Sequence, residues 1–87
     1  MPILATFYGM IIRVYHNDHP PPHFHVTYGD KEAWIEIRSG KVIHGKLSPR
    51  LLKDLERWRK LHKKDLLKAW EDAQNHKTPK RIKPLED

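Results

Sequence analysis

His23-Phe24-His25-Val26-Thr27-Tyr28-Gly29-Asp30-Lys31-Glu32-Ala33-Trp34-Ile35-Glu36-Ile37-Arg38 has a period of two. Phe24, Val26 and Tyr28 alternate with His23, His25 and Thr27, and Ala33, Ile35 and Ile37 alternate with Trp34, Glu36 and Arg38. Successive residues of a strand point to opposite faces. Each run therefore has one apolar side and one polar or aromatic side. Gly29-Asp30-Lys31 supplies turn chemistry between the runs. The stretch predicts two antiparallel strands, about 23–28 and 32–38, and makes a sheet the frame of the fold.

Working outward, Ile3 to Tyr15 is apolar and β-branched, interrupted at Gly9. One glycine is short of a standard hairpin turn, so this segment reads as a bent or bulged strand or as two abutting short ones. Ser39-Gly40 marks a tight hairpin into a last strand from Lys41 to Gly45. Ser48-Pro49 then opens a helix, with serine as the cap and proline at the first helical position. Leu51, Leu55, Trp58, His62, Leu66, Ala69, Trp70 and Ala73 form one broad stripe at helical spacing. That phase predicts a single long helix to about Asn75, with a kink near Lys64 as the alternative. The basic tail, 77–87, has Ile82 and Leu85 to pin it back.

The prediction is one α+β domain over residues 1–87. Its strands lie within about 3–45, in an antiparallel sheet of about four, and one long C-terminal amphipathic helix, about 49–75, packs on one face. No internal repeat or linker divides the chain. The helix-facing set is Ile12, Val14, Phe24, Val26, Tyr28, Ala33, Ile35 and Ile37. The opposite face collects Ile11, Arg13, Tyr15, His23, His25, Thr27, Trp34, Glu36 and Arg38, joined by His44 if the last strand is in register. A single helix leaves that second face open.

Just upstream, Asn17-Asp18-His19-Pro20-Pro21-Pro22 is a stiff, extended lead into the His23-Phe24-His25 strand. The second face supports three readings. Trp34, Tyr15 and Ile11 can bury against a second copy of the chain, giving a homodimer. Arg13, Tyr15, His23, His25, Trp34 and Arg38 can contact nucleic acid, with aromatics as stacking platforms. His23 and His25 can serve as general base and acid of a metal-independent ribonuclease, with Arg13 and Glu36 as further catalytic candidates. Metal binding is weighed separately. His16, Asp18, His19, His23 and His25 are candidate ligands. No H-E-x-x-H or thiolate set accompanies them, so the favoured reading is a capped turn without metal, and no cofactor is called for.

The 87 residues carry a net charge of +6, and residues 46–87 hold thirteen basic against seven acidic side chains. Arg50, Lys53, Arg57, Lys60, Lys64 and Lys68 recur every three or four residues opposite the apolar stripe. Such a ridge is either a solvated face or a phosphate-contacting one, in which Lys53, Arg57, Lys60 and Lys64 would be central. The chain has no cysteine, which removes disulfides and thiolate metal sites. No run approaches the roughly 18 apolar residues of a membrane span, and no leader pattern opens the chain, so a cytoplasmic, membrane-free protein is expected.

Phe7-Tyr8-Gly9, Ile11-Ile12-Arg13, Tyr15, Asp18-His19, Pro21-Pro22-His23-Phe24-His25-Val26, Gly45-Lys46-Leu47 and the Ile82, Pro84-Leu85 ending together resemble a small bacterial family of uncharacterised domains, DUF 4160. The resemblance spans nearly the whole chain. It supplies no catalytic residues. Some members look to be encoded beside another small protein in toxin–antitoxin-like pairs, which implies a nucleic-acid-related role or a cognate protein partner.

Overall fold

The structure is a computed structural model and describes residues 2–86. Five strands, β1 (Ile3–Phe7), β2 (Met10–Arg13), β3 (His23–Tyr28), β4 (Lys31–Glu36) and β5 (Val42–Gly45), are followed by α1 (Pro49–Leu61) and α2 (Lys63–Gln74). The strands form an antiparallel meander in the order β1-β2-β3-β4-β5. The fold is thus α+β, with five strands where about four were expected. The extra strand comes from Tyr8-Gly9. Both residues take positive φ, 52° and 80°, and turn β1 back onto β2. Two left-handed residues match the twist of a two-residue hairpin, so a single glycine suffices because Tyr8 accepts the other left-handed position.

The helix also departs from expectation. The serine cap is as read: the Ser48 hydroxyl accepts a hydrogen bond from the Leu51 N–H at 3.3 Å, with Pro49 opening the helix. The long helix, however, is two, broken at His62, whose φ and ψ are −120° and 24°. Hydrogen bonds from the His62 N–H to the Trp58 carbonyl and from the Leu66 N–H to the His62 carbonyl run across the break. The break therefore costs little backbone bonding. The bend falls at the start of His62-Lys63-Lys64-Asp65, where no apolar side chain ties the helix to the sheet.

The core is the apolar side of the alternation. Ile12, Val14, Phe24, Val26, Ala33, Ile35 and Ile37 are buried with Leu55, Trp58, Leu66, Ala69 and Ala73. Trp58 is its centre, 5.2 Å from the Phe7 ring and edge-on to Phe24 at 5.8 Å between centroids. Tyr28, assigned to the same side, instead lies exposed at the end of β3. The tail is pinned back as read. Ile82 and Leu85 are buried, the Ile82 N–H donates to the Leu4 carbonyl, and the Trp58 indole N–H donates to the Lys83 carbonyl.

One anchor came from neither the stripe nor the ridge. Arg59 on α1 is buried. Its Nη1 donates to the carbonyls of Ile37 at 2.9 Å and Arg38 at 3.2 Å, and its Nε and Nη2 grip both oxygens of Glu56. The guanidinium thereby ties α1 to the β4–β5 turn. Gly40 sits under this pair: a Cβ there would collide with Glu56 Oε1, and φ is +80°. Only glycine fits both constraints.

Among the described residues, no helix is long and apolar enough to cross a membrane.

Candidate functional site

Strand register builds the second face. Arg13 pairs with His25, His25 with Trp34, and Trp34 with His44, so four chemistry-bearing side chains stand in one row across the sheet. His44 joins the face as the alternation allowed. His23, two residues before His25, pairs with Glu36. The face is not open at this end. His23 and His25 are only 3% and 6% exposed. Trp70 of α2 packs on the His23 ring at 5.1 Å, Trp34 lies 5.5 Å from it, and Tyr15 meets His25 edge-on at 4.3 Å. The bend at His62 belongs with this cover, since α2 and not α1 carries Trp70.

The proline segment brings a carboxylate onto the histidines. Asn17 takes a left-handed φ of 58°. Asp18 then turns inward and accepts the His19 backbone N–H on Oδ1 at 3.0 Å. Its other oxygen, Oδ2, lies 2.9 Å from His25 Nε2 and 3.1 Å from His23 Nε2. Gln74 of α2 donates to the Asp18 carbonyl, and His16 Nδ1 donates to the Ala73 carbonyl, so the end of α2 latches this loop. Burial pushes the Asp18 carboxyl up. The His25 hydrogen bond, the His23 charge, the His19 N–H and the His25 charge outweigh it and hold the group below the ordinary aspartate range.

The outer ring nitrogens are also positioned. His23 Nδ1 is 2.7 Å from the Pro21 carbonyl, and His25 Nδ1 is 3.7 Å from Glu32 Oε2. A cavity of about 340 Å³ opens beside the cluster, lined by Tyr15, Asp18, His25, Glu32 and Trp34 among others.

The other candidates on this face direct their hydrogen bonds away from the cluster. Arg13 donates to the Thr27 hydroxyl, Glu36 accepts the Ser39 hydroxyl, and Arg38 is exposed with its carbonyl held by Arg59. Of the five metal candidates, Asp18, His23 and His25 converge. His16 turns to α2 and stacks on His76, and His19 is exposed, taking part through its backbone. Glu32 behind His25 was missed, because its place opposite Thr27 depends on the strand register.

A second concave region lies on the helix side. A groove of about 720 Å³ runs between Tyr8, Tyr28 and Lys31 of the hairpin turns and Ser48, Arg50, Leu51, Lys53, Asp54 and Arg57 at the start of α1. Tyr8 and Tyr28 are 39% and 41% exposed. Four cationic side chains face one carboxylate, Asp54, which is 4.0 Å from Arg57. Arg50, Lys53 and Arg57 of the predicted ridge line this groove, whereas Lys60 and Lys64 do not. Lys60 is 3.9 Å from Glu56, and Lys64 lies beyond the bend on α2. The sequence pattern set Tyr15 and Trp34 with the histidines, where they lie, and Tyr28 on the helix-facing side, with no role for Tyr8. Tyr8 and Tyr28 stand with the cations, a pairing that depends on two turns meeting one helix end.

No curated protein and no solved structure matches this chain significantly. The family model described as "Domain of unknown function (DUF4160)" matches residues 9–71, which takes in the sheet from the β1–β2 turn onward, the whole Asp18–His25 cluster and most of both helices; the Ile82 to Leu85 ending lies outside the match. The chain belongs to the DUF4160 family.

Proposed function

We propose that this protein is a nucleic-acid-binding module that holds a single strand in the groove between Tyr8, Tyr28 and the first turns of α1. The observation that carries the reading is the meeting of two exposed tyrosine rings with Lys31, Arg50, Lys53 and Arg57 in one 720 Å³ groove. Cations along a groove attract the phosphate backbone whatever the sequence, and aromatic rings stack on bases of any identity. A net charge of +6 concentrated on the helical half favours encounter with such a polyanion. The same groove suits a role as one half of a two-protein, toxin–antitoxin-like pair acting on RNA. The open-face alternatives have less support, since His23 and His25 are buried and Trp34 is shielded by His25 and His44.

The test is fluorescence anisotropy with a labelled single-stranded oligonucleotide. Three or four phosphate contacts predict an affinity loss of about 20–50-fold between about 50 and about 200 mM salt. Arg50→Glu/Lys53→Glu/Arg57→Glu should abolish binding, and Tyr8→Ala or Tyr28→Ala should weaken it by about 5-fold or more. Lys60→Glu/Lys64→Glu should leave it within about twofold of wild type. Equal binding by wild type and the triple variant would overturn the proposal.

A further inference from the structure

We infer that Asp18, His23 and His25 form a binding site for a first-row divalent cation. The inference rests on the hydrogen-bond accounting of the cluster. Among the described residues, the buried side-chain nitrogens without a hydrogen-bond partner are His23 Nε2, His25 Nδ1 and Trp34 Nε1. All three belong to this face, and two belong to the cluster. Buried polar atoms are normally paired, so orphans gathered in one place need an explanation.

His23 is decisive. A carbonyl only accepts, so the 2.7 Å contact with Pro21 makes Nδ1 the donor. When the ring is neutral, as metal ligation requires, Nε2 presents a lone pair. That lone pair faces Asp18 Oδ2 at 3.1 Å without hydrogen-bond geometry. Two lone pairs turned to one another in a buried site repel unless a positive charge, a proton or a metal ion, lies between them. His25 Nε2 faces the same oxygen at 2.9 Å, while its Nδ1 is left without a partner 3.7 Å from Glu32. A cation bound to both Nε2 atoms and to Oδ2 resolves the set. His23 keeps its bond to Pro21, and His25 moves its proton to Nδ1, where the Glu32 carboxylate can accept it. A carbonyl or carboxylate behind the outer nitrogen is what orients ligating histidines in metal sites.

The distances suit such an ion. One atom from each of the three residues lies within 4.8 Å of the others. Metal–nitrogen and metal–oxygen bonds of about 2.0–2.2 Å hold neighbouring donors about 3–3.5 Å apart. The two Asp18–His contacts, 3.1 and 2.9 Å, lie close to that range, and all three donors fall within the 4.8 Å span. Two nitrogens and one oxygen favour zinc, cobalt, manganese or iron over calcium and magnesium, which prefer all-oxygen sets. Three protein ligands beside a cavity of about 340 Å³ leave coordination positions for water or an anionic ligand. Trp34, which lines that cavity, carries an N–H without an acceptor.

The test uses tag-free protein stripped with chelator and titrated with Co(II), read by visible absorption and by displacement with Zn(II). The expected result is a saturable band at about one ion per chain, removed by zinc, with a melting temperature that rises as zinc is added. Asp18→Asn and His25→Gln should each weaken binding by at least about tenfold, whereas His19→Gln and His44→Gln should leave it unchanged. Absence of saturable binding by the wild-type protein at millimolar metal would overturn the inference, and so would loss of binding in His19→Gln. Wild-type-like affinity in a folded Asp18→Asn variant would do the same. No nucleic acid enters this experiment, so its outcome is independent of the groove.

Discussion

Trp58→Ala is expected to unfold this protein, or to lower its melting temperature by about 15–30 °C. Trp58 is 0% exposed and packs against Phe7 and Phe24, joining α1 to β1 and β3. Truncating a buried tryptophan costs about 3–5 kcal/mol through lost transfer energy and the cavity left behind. The Lys83 carbonyl, which accepts the indole N–H at 2.9 Å, would also lose its partner, and the tail its tie to the body. A domain of this size has about 4–13 kcal/mol of total stability, so one substitution removes about a quarter or more of it. Trp58→Phe keeps most of the volume and loses the hydrogen bond, and should fall well short of the alanine effect. Thermal unfolding followed by far-UV circular dichroism checks both. An alanine variant melting within a few degrees of wild type would contradict the packing.

Arg59→Ala is the second large effect, with an expected cost of about 2–4 kcal/mol. Removing the guanidinium leaves the Ile37 and Arg38 carbonyls without their donor at the β4–β5 turn. Glu56 is partly exposed and can turn to water, which keeps the cost below that of stranding a fully buried charge. Arg59→Lys should recover little, because one ammonium cannot serve two carbonyls and both carboxylate oxygens. The pair also has a pH signature. The hydrogen bond from Arg59 holds the Glu56 carboxyl below the ordinary glutamate range. A carboxylate whose pKa is depressed on folding stabilises the native state above its unfolded pKa, and that contribution is lost as pH falls through the folded value. Stability should therefore decline from about pH 5 towards pH 3, and less steeply in Glu56→Gln. Parallel declines in the two proteins would argue against the pair.

Much of the frame was legible because it depends on local periodicity. The alternation from His23 to Arg38 assigned Phe24, Val26, Ala33, Ile35 and Ile37 to the core, and Ser48-Pro49 marked the start of α1. What escaped depends on choices that local pattern does not encode. Tyr8 adopts a left-handed conformation with no Asn-Gly or Asp-Gly to announce it. The bend at His62 has neither proline nor glycine, and the apolar phase runs on through it. Arg59 reads as one more helix cation until the β4–β5 turn lies beneath it. The candidate sites divide the same way. That His23 and His25 share a face followed from their spacing, but the capture of both by Asp18 required the proline segment to fold back. The groove was less accessible still, since Tyr8, Tyr28 and Arg57 come from three separate elements.

The central claim is that the groove, and not the histidine face, receives the nucleic acid. Backbone amide shift mapping by NMR during titration with a single-stranded oligonucleotide tests it most directly. Perturbations are expected at Tyr8, Gly9, Tyr28, Lys31 and along Ser48 to Arg57, with His23, His25, Trp34 and His44 unmoved. Perturbations centred on Arg13, His25, Trp34 and His44, with the groove silent, would contradict it.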